Sequence, residues 1–298
     1  MKTRSIFYIT TTILVITLLT ACFNERSSIT PVQEAEPETV ERFETPTPEP
    51  SPEPELEPEP ELDEHERTVS NHMEDTSYVQ ETNGTKGILV AIDPGHQRRG
   101  NSSQELLGPG TSETKAKVAG GTSGVATGVP EYELTLDISF LLRDELMSRG
   151  YEVFMIRESH DVDISNRTRA EMATEAGAHI FVRVHANGNT NSAVNGILTI
   201  SPTKKTPYIP ALYSRSLALS QCILDEMLAT TGAKNMGIWE TDTMTGINWS
   251  TMPVTIIELG FMTNPEEDRL MQTADYQQKL VDGIANGIDF FFIFEFGD

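Results

Sequence analysis

The sequence predicts an α/β domain built on a mostly parallel sheet with helices on both faces. Two observations carry that expectation. From residue 87 onward, short apolar runs alternate with stretches whose apolar residues recur at helical spacing. Such alternation gives a parallel sheet covered on both sides. Upstream of residue 87 the composition changes so sharply that no second core can form there.

The elements follow in order. Gly87 to Ile92 (GILVAI) reads as a buried strand that stops at the turn Asp93-Pro94-Gly95-His96. Leu134, Ile138, Leu141, Leu142 and Leu146 place an apolar stripe on a helix over 131–149, which Gly150 ends. Tyr151 to Ile156 is the next strand. A helix over 165–176 follows, with Arg167, Arg169 and Glu171 on its polar side. Ile180 to His185 and Ile197 to Ser201 read as strands, and Leu212 to Ala229 as a long helix containing Cys222. Val254 to Glu258 is an apolar strand ending in an acid. Asn264-Pro265-Glu266-Glu267 has the N-cap and first-turn proline of a helix start. A last helix covers Ala274 to Phe291.

The chain has 298 residues with 22 Lys+Arg against 45 Asp+Glu, a formal net charge of −23. That excludes nucleic acid as a partner, because a phosphate backbone needs a basic footprint. The charge is unevenly spread. Residues 1–22 hold Lys2 and Arg4 and no acid, residues 23–86 hold 18 acids against 4 bases, and the last 212 residues keep a net charge of −11. Those 212 residues suffice for one sizeable domain.

The basic start and the apolar run Ile6 to Leu19 form a signal peptide over 1–22, too short to span a bilayer comfortably. It ends in Leu19-Thr20-Ala21-Cys22, which resembles a bacterial lipobox. That resemblance implies an acylated Cys22, a membrane anchor and an extracytoplasmic domain. Residues 23–86 form a Pro/Glu-rich linker, with nine prolines between Pro31 and Pro60. It is expected to be extended and disordered, because proline removes donors and the carboxylates repel one another. A spacer between membrane and domain is the expected role. A partner-binding acidic tail or calcium capture are the alternatives. With Cys22 at the anchor, Cys222 has no partner, so a disulfide scaffold and a Cys-rich zinc site are both excluded. Any metal must be held by His and carboxylate.

Three predicted strand ends carry residues capable of chemistry: His96, His185 and Glu258. In sheets of this type, sites lie beyond the carboxyl ends of the strands. A hydrolytic zinc takes three protein ligands from His and carboxylate and leaves one position open. Taken alone, either histidine is as well explained as a surface or core residue. Glu258 says more, since the mostly apolar run Val254 to Ile257 precedes it and a buried acid there needs a partner or a reaction.

Five stretches together resemble the zinc-dependent N-acetylmuramoyl-L-alanine amidases, the branch that trims bacterial cell walls. They are Ala91 to His96 (AIDPGH), Glu131 opening an apolar helix, Arg157 after a strand, Val184 to Asn187 (VHAN), and Pro253 to Asn264 (PVTIIELGFMTN). The resemblance covers about 87–292. It implies one α/β domain with a six-stranded, mostly parallel sheet. It implies Zn²⁺ ligated by His96, Glu131 and His185, with Glu258 as catalytic acid/base, acting on peptidoglycan at the bond between muramic acid and L-Ala. A monomer is expected. The chain departs from the family at Arg183 and His179, which stand where Ser and Asp are common. Arg183 shares the His185 face of an alternating strand and is suited either to a substrate carboxylate or to a nearby acid. Glu133 competes with Glu131 but sits off its helix face.

The stretch 97–130 reads as a long Gly/Ser/Thr-rich loop, a cleft wall or flap. Glu240 to Asp242 and Gly246 to Trp249 read as a second polar loop. Asn187, Asn248 and Trp249 are candidate substrate contacts beside Arg183, with loop packing as the alternative for the last two. Two other functions fit the same residues: a non-catalytic wall-binding lipoprotein on a degenerate domain, and a zinc peptidase cutting a different bond.

Overall fold

A computed structural model describes residues 85–296 and the side chains as far as Ile293. The lipobox with Cys22 and all but the last two residues of the Pro/Glu segment lie outside the described residues.

A six-stranded sheet forms the middle layer, in the order β4-β1-β5-β8-β6-β7. Its members are β1 (Leu89–Pro94), β4 (Glu152–Met155), β5 (Ile180–Asn187), β6 (Ile197–Ser201), β7 (Asn235–Glu240) and β8 (Val254–Phe261). The strands run parallel except where β6 meets β8. One face carries α1 (Glu131–Ser148), α3 (Tyr213–Thr231) and α6 (Ala274–Phe296). Their core residues include Leu134, Ile138, Leu142, Ile223, Ile284 and Ile288, all fully buried. The other face packs a smaller cluster of Phe181, Ile200, Ile256 and Ile247 against α2 (Asn166–Glu175) and α4 (Thr245–Asn248). The helix α5 (Pro265–Met271) follows β8.

Local chemistry explains the boundaries. Ser165 caps α2 by accepting from the amide of Thr168. Asn264 caps α5 by accepting from Glu266 and Glu267. Gly150 takes φ +87° at the end of α1, a conformation that favours glycine.

Three sequence expectations are corrected. The stretch 97–130 is not structureless: β2 (Asn101–Leu106) and β3 (Thr114–Val118) form an antiparallel hairpin within it. Arg169 is not on a polar helix face but fully buried, because it pairs with Asp93. The sheet's edge strand β7 falls where no strand was expected. Cys222 is a free, half-buried cysteine packed against the core, as anticipated. Among the described residues, no helix is long and apolar enough to cross a membrane.

Candidate active site and metal centre

The site begins at the turn after β1. Asp93 is fully buried and binds two guanidinium groups, Arg169 on one oxygen and Arg183 on the other, the latter at 2.8 Å. Burial alone would raise its carboxyl pKa. The charges of Arg169 and Arg183 outweigh that and bring it down to about 2. The turn is further held from both sides. Arg157 donates to the carbonyls of Pro94 and Gly95, Arg169 to those of Pro94 and His96, and Thr135 from α1 to that of Gly95. Gly95 permits the closest approach: a Cβ there would lie 2.6 Å from the His185 ring.

His96, clamped by these bonds, sits at φ +60°. Its Nδ1 faces the carbonyl of Ala119 at 2.9 Å. A carbonyl only accepts, so the proton of the neutral ring lies on Nδ1 and the Nε2 lone pair points inward. That Nε2 lies 3.0 Å from Glu131 Oε1 and 3.1 Å from His185 Nδ1. His185 Nδ1 is 3.2 Å from the same Glu131 oxygen. Glu131 is fixed in turn by the amides of Thr122 and Ala186. Gly121, at φ +80°, lets the chain pass: a Cβ there would meet His96 and Glu131 at 3.0 and 3.1 Å.

Burial would raise the pKa of Glu131, but the facing imidazoles of His185 and His96 hold its carboxyl far below the usual range. Burial pushes His185 down to about 4 against the pull of Glu131. His185 therefore stays neutral at pH 7, and a proton is a poor filler for the space between the three groups. Two imidazole nitrogens and a carboxylate oxygen facing one another call for a cation. The donor set of two imidazoles and one carboxylate suits Zn²⁺ better than Ca²⁺ or Mg²⁺.

Glu258 stands beside this cluster. The register pairs it with His185 on β5 and with Leu198 on β6. Its Oε2 is buried with no hydrogen-bond partner. Burial, with a further push from the Glu131 charge, raises its pKa well above the ordinary carboxylate value. His185 and Glu258 lie within their strands rather than at the ends, since both strands run further than expected.

The cavity over this cluster is lined by His96, His185 and Glu258 at one end. Ile200, Ile256 and Met244 form its apolar part, with Lys115, Ala116 and Val118 of the hairpin and Ala119 just beyond it. The proposed substrate contacts fare unequally. Arg183 lines the cavity, but its guanidinium is held by Asp93 and Asn166. Asn187 accepts from the amide of Gly188 and lies off the cavity wall. Asn248 is corrected: it is fully buried, and its amide nitrogen donates to the carbonyls of Leu107 and Asp242. Trp249 follows the packing alternative, since its indole donates to the carbonyl of Leu106 and its ring stacks on Arg167. Both brace the hairpin. His179 accepts from the Leu89 amide, away from the cluster, and Glu133 is bonded by Tyr132. Sequence reasoning missed Asp93 as the pivot of the turn, and the cavity wall residues Lys115 and Asn166. The Gly108-Pro109-Gly110 punctuation was the available signal for the hairpin.

Residues 90–289 match the family model described as N-acetylmuramoyl-L-alanine amidase. The N-acetylmuramoyl-L-alanine amidase Rv3717 of Mycobacterium tuberculosis is 27% identical over 214 residues, covering 68% of this chain and 85% of the relative. The amidase LytC of Bacillus subtilis is 26% identical over 205 residues, covering 69% of this chain but 36% of the relative, so the chain spans about a third of that protein. Among solved structures, the N-acetylmuramyl-L-alanine amidase Ami1 from Mycobacterium smegmatis superposes with a TM-score of 0.62 at 27% identity, over 69% of this chain and 96% of that one. With its family model matched over two thirds of its length, the chain belongs to the family of N-acetylmuramoyl-L-alanine amidases.

Proposed function

We propose that this chain is a zinc-dependent hydrolase that cleaves the amide bond between N-acetylmuramic acid and L-Ala of the peptidoglycan stem peptide. One observation carries the reading: His96, Glu131 and His185 converge to within hydrogen-bond distance of one another, with the partnerless carboxyl of Glu258 on the next strand.

His96, Glu131 and His185 would hold the ion. When bound, zinc polarises the scissile carbonyl and acidifies water, so no Ser or Cys nucleophile is required. Ala119 and the amides of Thr122 and Ala186 keep the three side chains in place. Glu258 takes the proton of the attacking water and delivers it to the amine of L-Ala as the C–N bond breaks. Its raised pKa suits that transfer, since a carboxylate lifted above its ordinary range is a stronger proton acceptor. The buried Oε2 has no competing partner to hold the proton.

The enzyme works outside the cytoplasm, as a monomer tethered through acylated Cys22 by the Pro/Glu segment. A Cys22→Ser variant is expected to leave the membrane fraction; unchanged retention would assign the anchoring to something else. The bond assignment is tested by digesting purified peptidoglycan with the metal-loaded chain. The expected product is free stem peptide with a new N-terminal L-Ala. New termini at any other residue, with the muramoyl bond intact, would make it a different wall peptidase.

A further inference from the structure

The cavity brings two chemistries together: His96, His185 and Glu258, and an apolar lining of Ile200, Ile256 and Met244. Lys115 of β3 also lines it and donates to the carbonyl of Thr243 at 2.7 Å. That bond joins segments 128 residues apart. It is a cation held by a neutral acceptor. Among the described residues Lys115 forms no ion pair. The other cation on the wall, Arg183, already has Asp93 and Asn166. Local desolvation and the Arg183 charge lower the pKa of Lys115, against a smaller upward pull from Glu113. An anion placed beside the amine relieves both effects.

We propose that Lys115 recognises a free carboxylate on the stem peptide, on the leaving-group side of the scissile bond. The inference rests on the amidase reading and deepens it. In that substrate the lactyl carboxyl is tied up in the scissile amide and the sugars are N-acetylated, so the glycan offers no carboxylate near the cut. The peptide does. An ion pair with a carboxylate adds a Coulomb attraction that a neutral carbonyl cannot supply, so the amine exchanges Thr243 for the substrate's carboxylate. The peptide then lies against Ile256 and Ile200, with its scissile amide at His96 and Glu258.

The test uses the full, metal-loaded chain and two synthetic N-acetylmuramoyl peptides. They differ only in whether the residue after L-Ala carries a free carboxylate or its carboxamide. The wild type is expected to favour the carboxylate about tenfold in kcat/KM, mainly through KM, with the preference shrinking as salt is added. Lys115→Met should bring the ratio to about one, and Lys115→Arg should restore most of it. Equal use of both substrates by the wild type, or an unchanged ratio in Lys115→Met, overturns the proposal. Hydrolysis of neither by the wild type removes the amidase reading, and this inference with it.

Discussion

The turn after β1 and the β2–β3 hairpin face each other across one cavity, and they are held by opposite means. At the turn, a fully buried carboxylate joins two buried arginines, and a third arginine grips the carbonyls of Pro94 and Gly95. The hairpin is largely exposed. Neutral side chains hold three of its carbonyls, Asn248 at Leu107, Trp249 at Leu106 and Asn166 at Lys117, and its Lys115 bonds the carbonyl of Thr243. The difference separates two requirements of one site. Metal ligands must be placed within fractions of an ångström, which a bonded, desolvated turn achieves. A wall that admits a polymer is better served by neutral bonds that exchange readily.

The contrast can be broken at the buried end first. Replacing His185 by Ala removes one of three donors. The variant is expected to fold, to lose zinc at stoichiometric metal and to lose all measurable amidase activity. Full zinc occupancy, read by metal analysis, would move the ligand set elsewhere.

Asp93→Asn comes next. It leaves Arg169 and Arg183 buried without their anion, a change that costs about 3–5 kcal/mol. Denaturant melts at pH 7 should show that loss. The pH dependence has a definite sign. A carboxyl whose pKa falls to about 2 on folding stabilises the fold fully above its unfolded value near 4. That contribution fades as pH falls through about 2, so the gap between wild type and variant narrows below pH ~4. A gap that widened there would contradict the pairing.

The smallest effect is expected at the hairpin brace. Asn248→Ala removes two bonds to carbonyls, and the stability change should be about 1–3 kcal/mol. Zinc content should not change, while hydrogen exchange at Thr114 to Val118 should speed up. Protection there as in the wild type would mean that Trp249 and Asn166 suffice to hold the wall.

The same division governs what the sequence disclosed. Apolar runs or stripes placed β1, α1, α3 and α6, and the Asn264-Pro265 start placed α5. His96, His185 and Glu258 were legible as motif residues in or beside apolar strands, and Glu131 as the residue that opens an apolar helix. The hairpin was not, since NSSQEL and TKAKV bury too little to show alternation. β7 escaped for the same reason: as an edge strand it is mostly exposed, Trp239 included. Asn248 and Trp249 looked like substrate contacts because polar and aromatic loop residues suit both binding and bracing. Only the tertiary position of Leu106 and Leu107 decides between them. Arg169 was misread because its partner Asp93 lies 76 residues away.

The central claim is that Glu258 moves the proton while His96, Glu131 and His185 hold the metal. Glu258→Gln tests it most directly, because the amide keeps the shape and removes the proton acceptor. Zinc content and stem-peptide release from purified peptidoglycan should be measured on the same preparation. The expected result is full zinc occupancy with release slowed by about 10²–10⁴-fold, the usual contribution of general acid–base catalysis. Near-normal release with zinc in place would show that another group takes the proton, and loss of zinc would move Glu258 into the ligand set.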